Sequence, residues 1–196
     1  MPSPPYLILR KALSGTPRAQ RGQSLVEFAV SSVVLLLLVG GLVDIGRSIY
    51  VADTLSNAAR EGARHGAWYD APNLAHPYLY DAQIKASVDT ELAAIGLPAS
   101  VLKNPGTTCP SVTDGNAFHN PPYVSSAYPG TANQPWLYVC YNNTPGLDFT
   151  SPATNQGQLD LNVIVLYTYG PMTPLVKSQF GFFQIAANEH MTVQGS

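Results

Sequence analysis

Two carboxylates and a pair of cysteines are the residues whose types and spacing could do chemistry in this chain. Glu27 stands alone at the head of an uncharged run, Phe28 to Val43, and follows Gly22 by five positions. A carboxylate entering hydrocarbon costs on the order of 3 kcal/mol, so Glu27 asks for a partner. Asp44 closes the same run, and Arg47 three residues on can pair with it on one helix face. Cys109 and Cys140 lie 31 residues apart. In an exported protein such a pair reads as a disulfide, worth roughly 3.5–4 kcal/mol by loop closure. Elsewhere the catalytic signals are missing. His65, His76, His119 and His190 are scattered without ligand spacing, and no carboxylate pair is set for acid–base work. Asp114-Gly115-Asn116 is a turn and too short for a calcium loop. Asn142-Asn143-Thr144 is a formal glycosylation sequon that marks a surface turn. There is no glycine-rich phosphate loop and no nucleophile elbow. The chain reads as a non-enzyme, without metal or cofactor.

The elements that position these groups begin with the apolar run. Glu27 and Asp44 are separated by about 26 Å of helix, close to the roughly 30 Å of a bilayer's hydrocarbon core. Both carboxylates then fall near opposite interfaces, with Arg21 and Arg47 placed to reach headgroups. A secretory signal peptide would need small residues soon after the run; Asp44-Ile45-Gly46-Arg47 puts charges there instead. The helix is expected to continue through Ala52 to Trp68, which lacks proline, with Gly40-Gly41 as a place to bend. Ala59, Ala63 and Ala67 recur every four residues beside Gly62 and Gly66. That small-residue stripe admits another helix or a sheet at close range.

Charge sets the topology. Four bases (Arg10, Lys11, Arg18, Arg21) and no acid precede Glu27. After Trp68 there are three bases against eight acids, a net of −5. The positive-inside rule places the N-terminus in the cytoplasm and residues 69–196 outside. An acidic outer part gives no support to nucleic-acid binding.

The segment RGQSLVEFAV, the apolar run, VDIGRSIY and LSNAAREGARHGAW together resemble the TadE-like family, minor pseudopilins of tight-adherence (Tad or Flp-type) pili. The resemblance is carried by Gly22, Glu27, Phe28, Asp44, Gly46, Arg47 and Asn57 to Arg64, and spans Arg21 to about Trp68. A weaker similarity lies in LNVIVLYTYGPMTPL and FFQIAANEHMTV. The resemblance implies a basic leader, 1–22, cut between Gly22 and Gln23 by a prepilin peptidase, and a pilin-like helix, 23–68. It implies a new amino group at Gln23 one turn from Glu27, with Glu27 and Phe28 serving assembly. The implied partners are the cytoplasmic membrane, the peptidase, other pilins and the Tad assembly platform, in a hetero-oligomer. The apolar, proline-rich start MPSPPYLIL departs from a minimal pilin leader. The rivals are an uncleaved single-pass anchor carrying a binding or adhesion module, and an anchored enzyme, which would need a polar pocket.

The outer domain, 69–196, is expected to be α+β: one amphipathic helix and an antiparallel sheet, like a small pilin head. Tyr69 to Pro77 is turn-rich. Ile84, Val88, Leu92 and Ile95 form one stripe of a helix over 81–97, with Lys85 and Asp89 as an exposed pair. Asn104 to Pro135 reads as a long irregular loop. Strands are expected at 136–141, 159–169 and 182–193, with a short helix or turn at 175–180. Tyr123, Tyr128, Tyr138, Tyr141 and Trp136 cluster in sequence around the loop, as sheet packing or as a contact surface.

Overall fold

The computed structural model describes residues 18–68, 81–104, 109–141 and 160–193; side chains are described for these ranges except at 18–21, 104 and 141. The Tyr69–Pro77 turn, His76 and the Asn142 sequon lie outside the described residues, as do residues 1–17 of the leader. Two compact units result, Met1–Gly40 and Gly41–Ser196.

Helix α1, Arg18–Ala67, is an unbroken assignment of 50 residues that passes through both Gly40 and Gly41. Its apolar stretch has a mean hydropathy of 2.4 over 18 residues, of which 6% is buried. A core helix of a soluble protein would be covered by its neighbours. This one leaves Leu35, Leu36 and Leu38 more than 60% exposed, so by length, apolarity and exposure it suggests a single-pass membrane anchor. Two of its hydroxyls bond within the helix: Ser32 Oγ donates to the Ala29 carbonyl at 2.9 Å and Ser48 Oγ to the Ile45 carbonyl at 2.8 Å. Hydrocarbon requires such internal satisfaction of polar groups.

The remainder of the second unit is a four-stranded sheet, ordered β1-β2-β3-β4, with helices against one face. Helix α2 is Asp81–Ala94, β1 Val101–Asn104, β2 Trp136–Tyr141, β3 Asp160–Tyr169, α3 Pro174–Phe180 and β4 Phe183–Thr192. The β2–β3 and β3–β4 pairs are antiparallel, whereas β1 runs parallel to β2. The expected α+β head is therefore present, with one unforeseen parallel edge strand.

Strand β3 is buried along nearly its whole length, and two layers account for that. Leu161, Val163, Val165, Tyr167 and Tyr169 face the helices, packing with Val51, Leu55, Ala58, Ala59 and Ala63 of α1 and Ile84, Val88 and Leu92 of α2. Ile164 and Leu166 point the other way, into Tyr123, Ala127, Tyr138 and Cys140. The segment 109–135, irregular apart from a Val112–Tyr123 bridge and a short 3₁₀ turn at Ser125–Ala127, forms this second cover. It is bonded to β2 through Cys109–Cys140, with Cα atoms 5.5 Å apart.

Helix α2 ends earlier than expected, at Ala94. The Leu97 N–H reaches back to the Leu92 carbonyl and the Gly96 N–H to Ala93, while Gly96 takes φ +74°. That Schellman closure needs a left-handed residue, which glycine supplies. It also lifts Ile95 out of the buried stripe.

The Lys85–Asp89 pair is more than an exposed surface bridge. The Asp89 side chain is 20% exposed and pairs with Lys85, and its Oδ1 accepts both the N–H and the hydroxyl of Ser100, at 2.7 and 2.6 Å. Burial pushes the Asp89 carboxyl up, but the bonds from Lys85 and Ser100 more than reverse this and hold it below the ordinary range. A carboxyl lowered by folding contributes stability above its unfolded pKa, about 3.9, and loses it as pH falls through the folded value. Asp89→Asn is expected to cost about 1–2 kcal/mol at neutral pH and to flatten the loss of stability between about pH 5 and pH 2. Urea midpoints of both proteins across that range check this. Parallel curves would mean that the Asp89 bonds do not form.

Candidate functional site

The groups singled out by sequence fall into four places. At the start of α1, Gly22, Gln23, Glu27 and Phe28 are all exposed. The Gln23 amide donates to Glu27 Oε1 at 3.1 Å, which fixes positions 23 and 27 as neighbours one turn apart. A Cβ added at Gly22 would meet nothing within 4 Å. The Gly22–Gln23 peptide is thus inside a helix and uncovered on its side.

At the end of the apolar run, Asp44 is 3% exposed. Its Oδ1 accepts the N–H of Met172 at 2.9 Å and its Oδ2 the N–H of Thr173 at 3.0 Å. The Tyr169 hydroxyl donates to the Asp44 carbonyl at 3.3 Å. Thr173 precedes Pro174, the first residue of α3, and makes no side-chain cap of its own. Asp44 therefore serves the backbone donors at that helix's start from 128 residues away. The expected direct bridge from Asp44 to Arg47 is not among the ion pairs of the described residues. Tyr169 is the reason: Arg47 lies over its ring, 5.8 Å from the centroid, while the carboxylate is committed to the β3–α3 junction.

Further along α1, the small-residue stripe faces the second unit's own core. Ala59 and Ala63 are fully buried and Ala67 is 4% exposed. A Cβ on Gly62 would come within 2.6 Å of Val88 Cγ2, and one on Gly66 within 2.5 Å of Leu161 Cδ2 and 2.9 Å of Ile84 Cδ1. Both glycines are the space into which α2 and β3 fit. Arg64 pairs with Glu61 on the outer side, with Nε 2.8 Å from Oε2, and Arg60 lies 3.9 Å from Glu189 of β4.

The fourth place is the disulfide-tied layer. Cys140 is 2% and Tyr123 4% exposed. The Tyr123 hydroxyl donates to the His119 carbonyl and that of Tyr138 to Ala127. Burial raises the pKa of both phenols, with the Tyr128 charge adding to it at Tyr123. Trp136 stacks beneath the Lys103 ammonium at 3.9 Å. Tyr123, Tyr138 and Trp136 are thus packing residues that hold the cover on the sheet.

One polar cluster escaped the sequence reading. On this face, His190 Nδ1 lies 2.7 Å from Asp160 Oδ2 and Nε2 lies 2.7 Å from Asn120 Oδ1, which also accepts the Asn188 amide at 2.8 Å. Asn162 pairs in register with His190, and its amide points at the carbonyls of Phe118 and His119. The signal was the period-two recurrence of Asn162 on one strand and of Asn188 and His190 on the next. Among the described residues, no group of three metal-ligating side chains occurs. A groove of about 510 Å³ lies along α1 and α2, lined by residues including Glu61, His65, Ser87 and Glu91.

The model of the TadE-like protein family matches residues 22–64. The resemblance read from Arg21 to Trp68 is matched over these residues, and this segment is TadE-like. No similarity to a curated protein or to a solved structure was found.

Proposed function

We propose that this chain is a minor pseudopilin that acts in assembling or priming a Tad-type pilus. The observation that carries the reading is the TadE-like match over 22–64, laid on an exposed apolar helix that sets Gln23 one turn from Glu27. On this reading a prepilin peptidase cuts between Gly22 and Gln23 on the cytoplasmic side. The released amine then lies at i to the carboxylate at i+4. In hydrocarbon Glu27 is compensated by that amine, or by the amine of an adjacent subunit, which gives a charged helix a reason to join a bundle. The helix holds the protein in the cytoplasmic membrane as a single pass, with the head outside, alongside other pilins and the assembly platform. The head's size argues for a minor role, since Flp-type major pilins are little more than the helix.

The test is the N-terminus of the protein isolated from membranes of its native host. Gln23 as first residue is the expected result. The Gly22→Leu variant should accumulate as the uncut precursor. Finding the uncut N-terminus in the unmodified protein would replace this reading with an uncleaved anchor that presents a binding or adhesion domain.

A further inference from the structure

Outside α1, five of the eight large apolar side chains that are exposed among the described residues lie in the connection between β3 and β4. Its sequence from 170 to 183, GPMTPLVKSQFGFF, contains no acid and one base, Lys177. Met172 and Phe180 are about 70% exposed, Phe182 52% and Leu175 44%, and α3 buries none of its residues. Contiguous exposure of this kind marks a surface that meets something other than water.

The connection's place in the fold names what it meets. Asp44, which accepts the N–H groups of Met172 and Thr173, directly follows Leu42 and Val43, the exposed last residues of the apolar run. The connection is thus hydrogen-bonded to the residue at which hydrocarbon ends. Within the connection the Lys177 N–H donates to Thr173 and the Gly181 N–H to Lys177, both at 3.0 Å, the bonds that open and close α3. The Lys177 ammonium lies 5.3 Å from the centre of the Phe182 ring, which puts a base beside these apolar residues, on a stem long enough to carry it to a phosphate.

We propose that residues 172–183 are a lipid-contacting foot. Met172, Leu175, Phe180 and Phe182 enter the headgroup–acyl boundary of the leaflet beneath the head, and Lys177 faces phospholipid phosphate. Aromatic and apolar side chains with a snorkelling base are what interfacial elements use. Together with Asp44, the foot ties the β3–α3 junction to the bilayer surface. This rests on the reading of α1 as a membrane span.

The experiment places p-benzoylphenylalanine singly at 36, 118, 172, 180 or 182 of the full chain in its host membrane, with retention of the disulfide as the folding check. After irradiation, intact mass identifies what was captured. The expected result is phospholipid adducts at 36, 172, 180 and 182, and at least tenfold less at Phe118, which is 70% exposed on the other cover. Lipid at 36 with protein adducts at 180 and 182 overturns the foot and makes the surface a subunit interface. Lipid at 36 with no adduct at 180 and 182, or equal lipid capture at 118, overturns it as well. Absence of lipid at 36 overturns the membrane span itself.

Discussion

Asp44→Leu is expected to destabilise the second unit by about 2–4 kcal/mol, because two backbone N–H groups lose their acceptor at a buried site and each costs roughly 1–3 kcal/mol when left unmade. The donors are those of Met172 and Thr173, and the carboxylate is 3% exposed. Asp44→Asn keeps one oxygen but turns an NH₂ toward the second donor, so a loss of about 1–2 kcal/mol is expected. Arg47→Leu removes only the contact over Tyr169, worth roughly 0.5–1 kcal/mol at a partly exposed position. Two measurements check the order Leu > Asn > Arg47→Leu. One is urea unfolding in detergent. The other is trypsin cleavage after Lys177, which α3 protects while its start is held. Equal cleavage rates in Asp44→Leu and the parent protein would show that the carboxylate does not secure the junction.

Asp44 also shows where sequence reasoning reaches its limit. That it sits at the end of an apolar run, and that such a carboxylate requires a partner, follows from local order. The partner does not. Arg47 is three residues away and was the local candidate; the actual donors are more than a hundred residues downstream and are backbone atoms, which carry no identity in sequence. Strand β1 shows the same limit. Its four residues, Val-Leu-Lys-Asn, have no alternation to speak of, and they become a strand only because Trp136 and Leu137 pair alongside Val101 and Leu102. By contrast β2 and β3 were legible because their aromatic and β-branched residues alternate toward two faces. The second cover was not, since nothing in a proline- and glycine-rich stretch says which sheet face it will lie on. The disulfide between Cys109 and Cys140 was the one long-range contact within reach, because two cysteines leave a single pairing.

The small-residue stripe was legible as a stripe, but its occupant was not, and the occupant decides the second large effect. Gly66→Leu is expected to cost more than about 3 kcal/mol, at or beyond the usual range for overpacking. A Cβ alone would come within 2.5 Å of Leu161 Cδ2 and 2.9 Å of Ile84 Cδ1, so strand and helix would both have to retreat. Gly66→Ala sets two terms in opposition. Alanine gains about 1 kcal/mol of helix propensity, and crowding removes about 1–3 kcal/mol, so the net is expected to be a loss of up to about 2 kcal/mol. Gly46 supplies the control: nothing lies within 4 Å of a Cβ there, and Gly46→Ala should keep the propensity gain. In a Leu161→Ala background the nearer of the two offending methyls is gone while Ile84 Cδ1 remains, and the loss from Gly66→Ala should shrink, a coupling of about 1–2 kcal/mol in a double-mutant cycle. The same series separates the two uses of the seam. If Gly62 and Gly66 receive α2 and β3 of their own chain, Gly66→Leu unfolds the isolated protein. If they were kept open for a neighbouring subunit's helix, the isolated protein would be as stable as before and only its assembly into a fibre would fail.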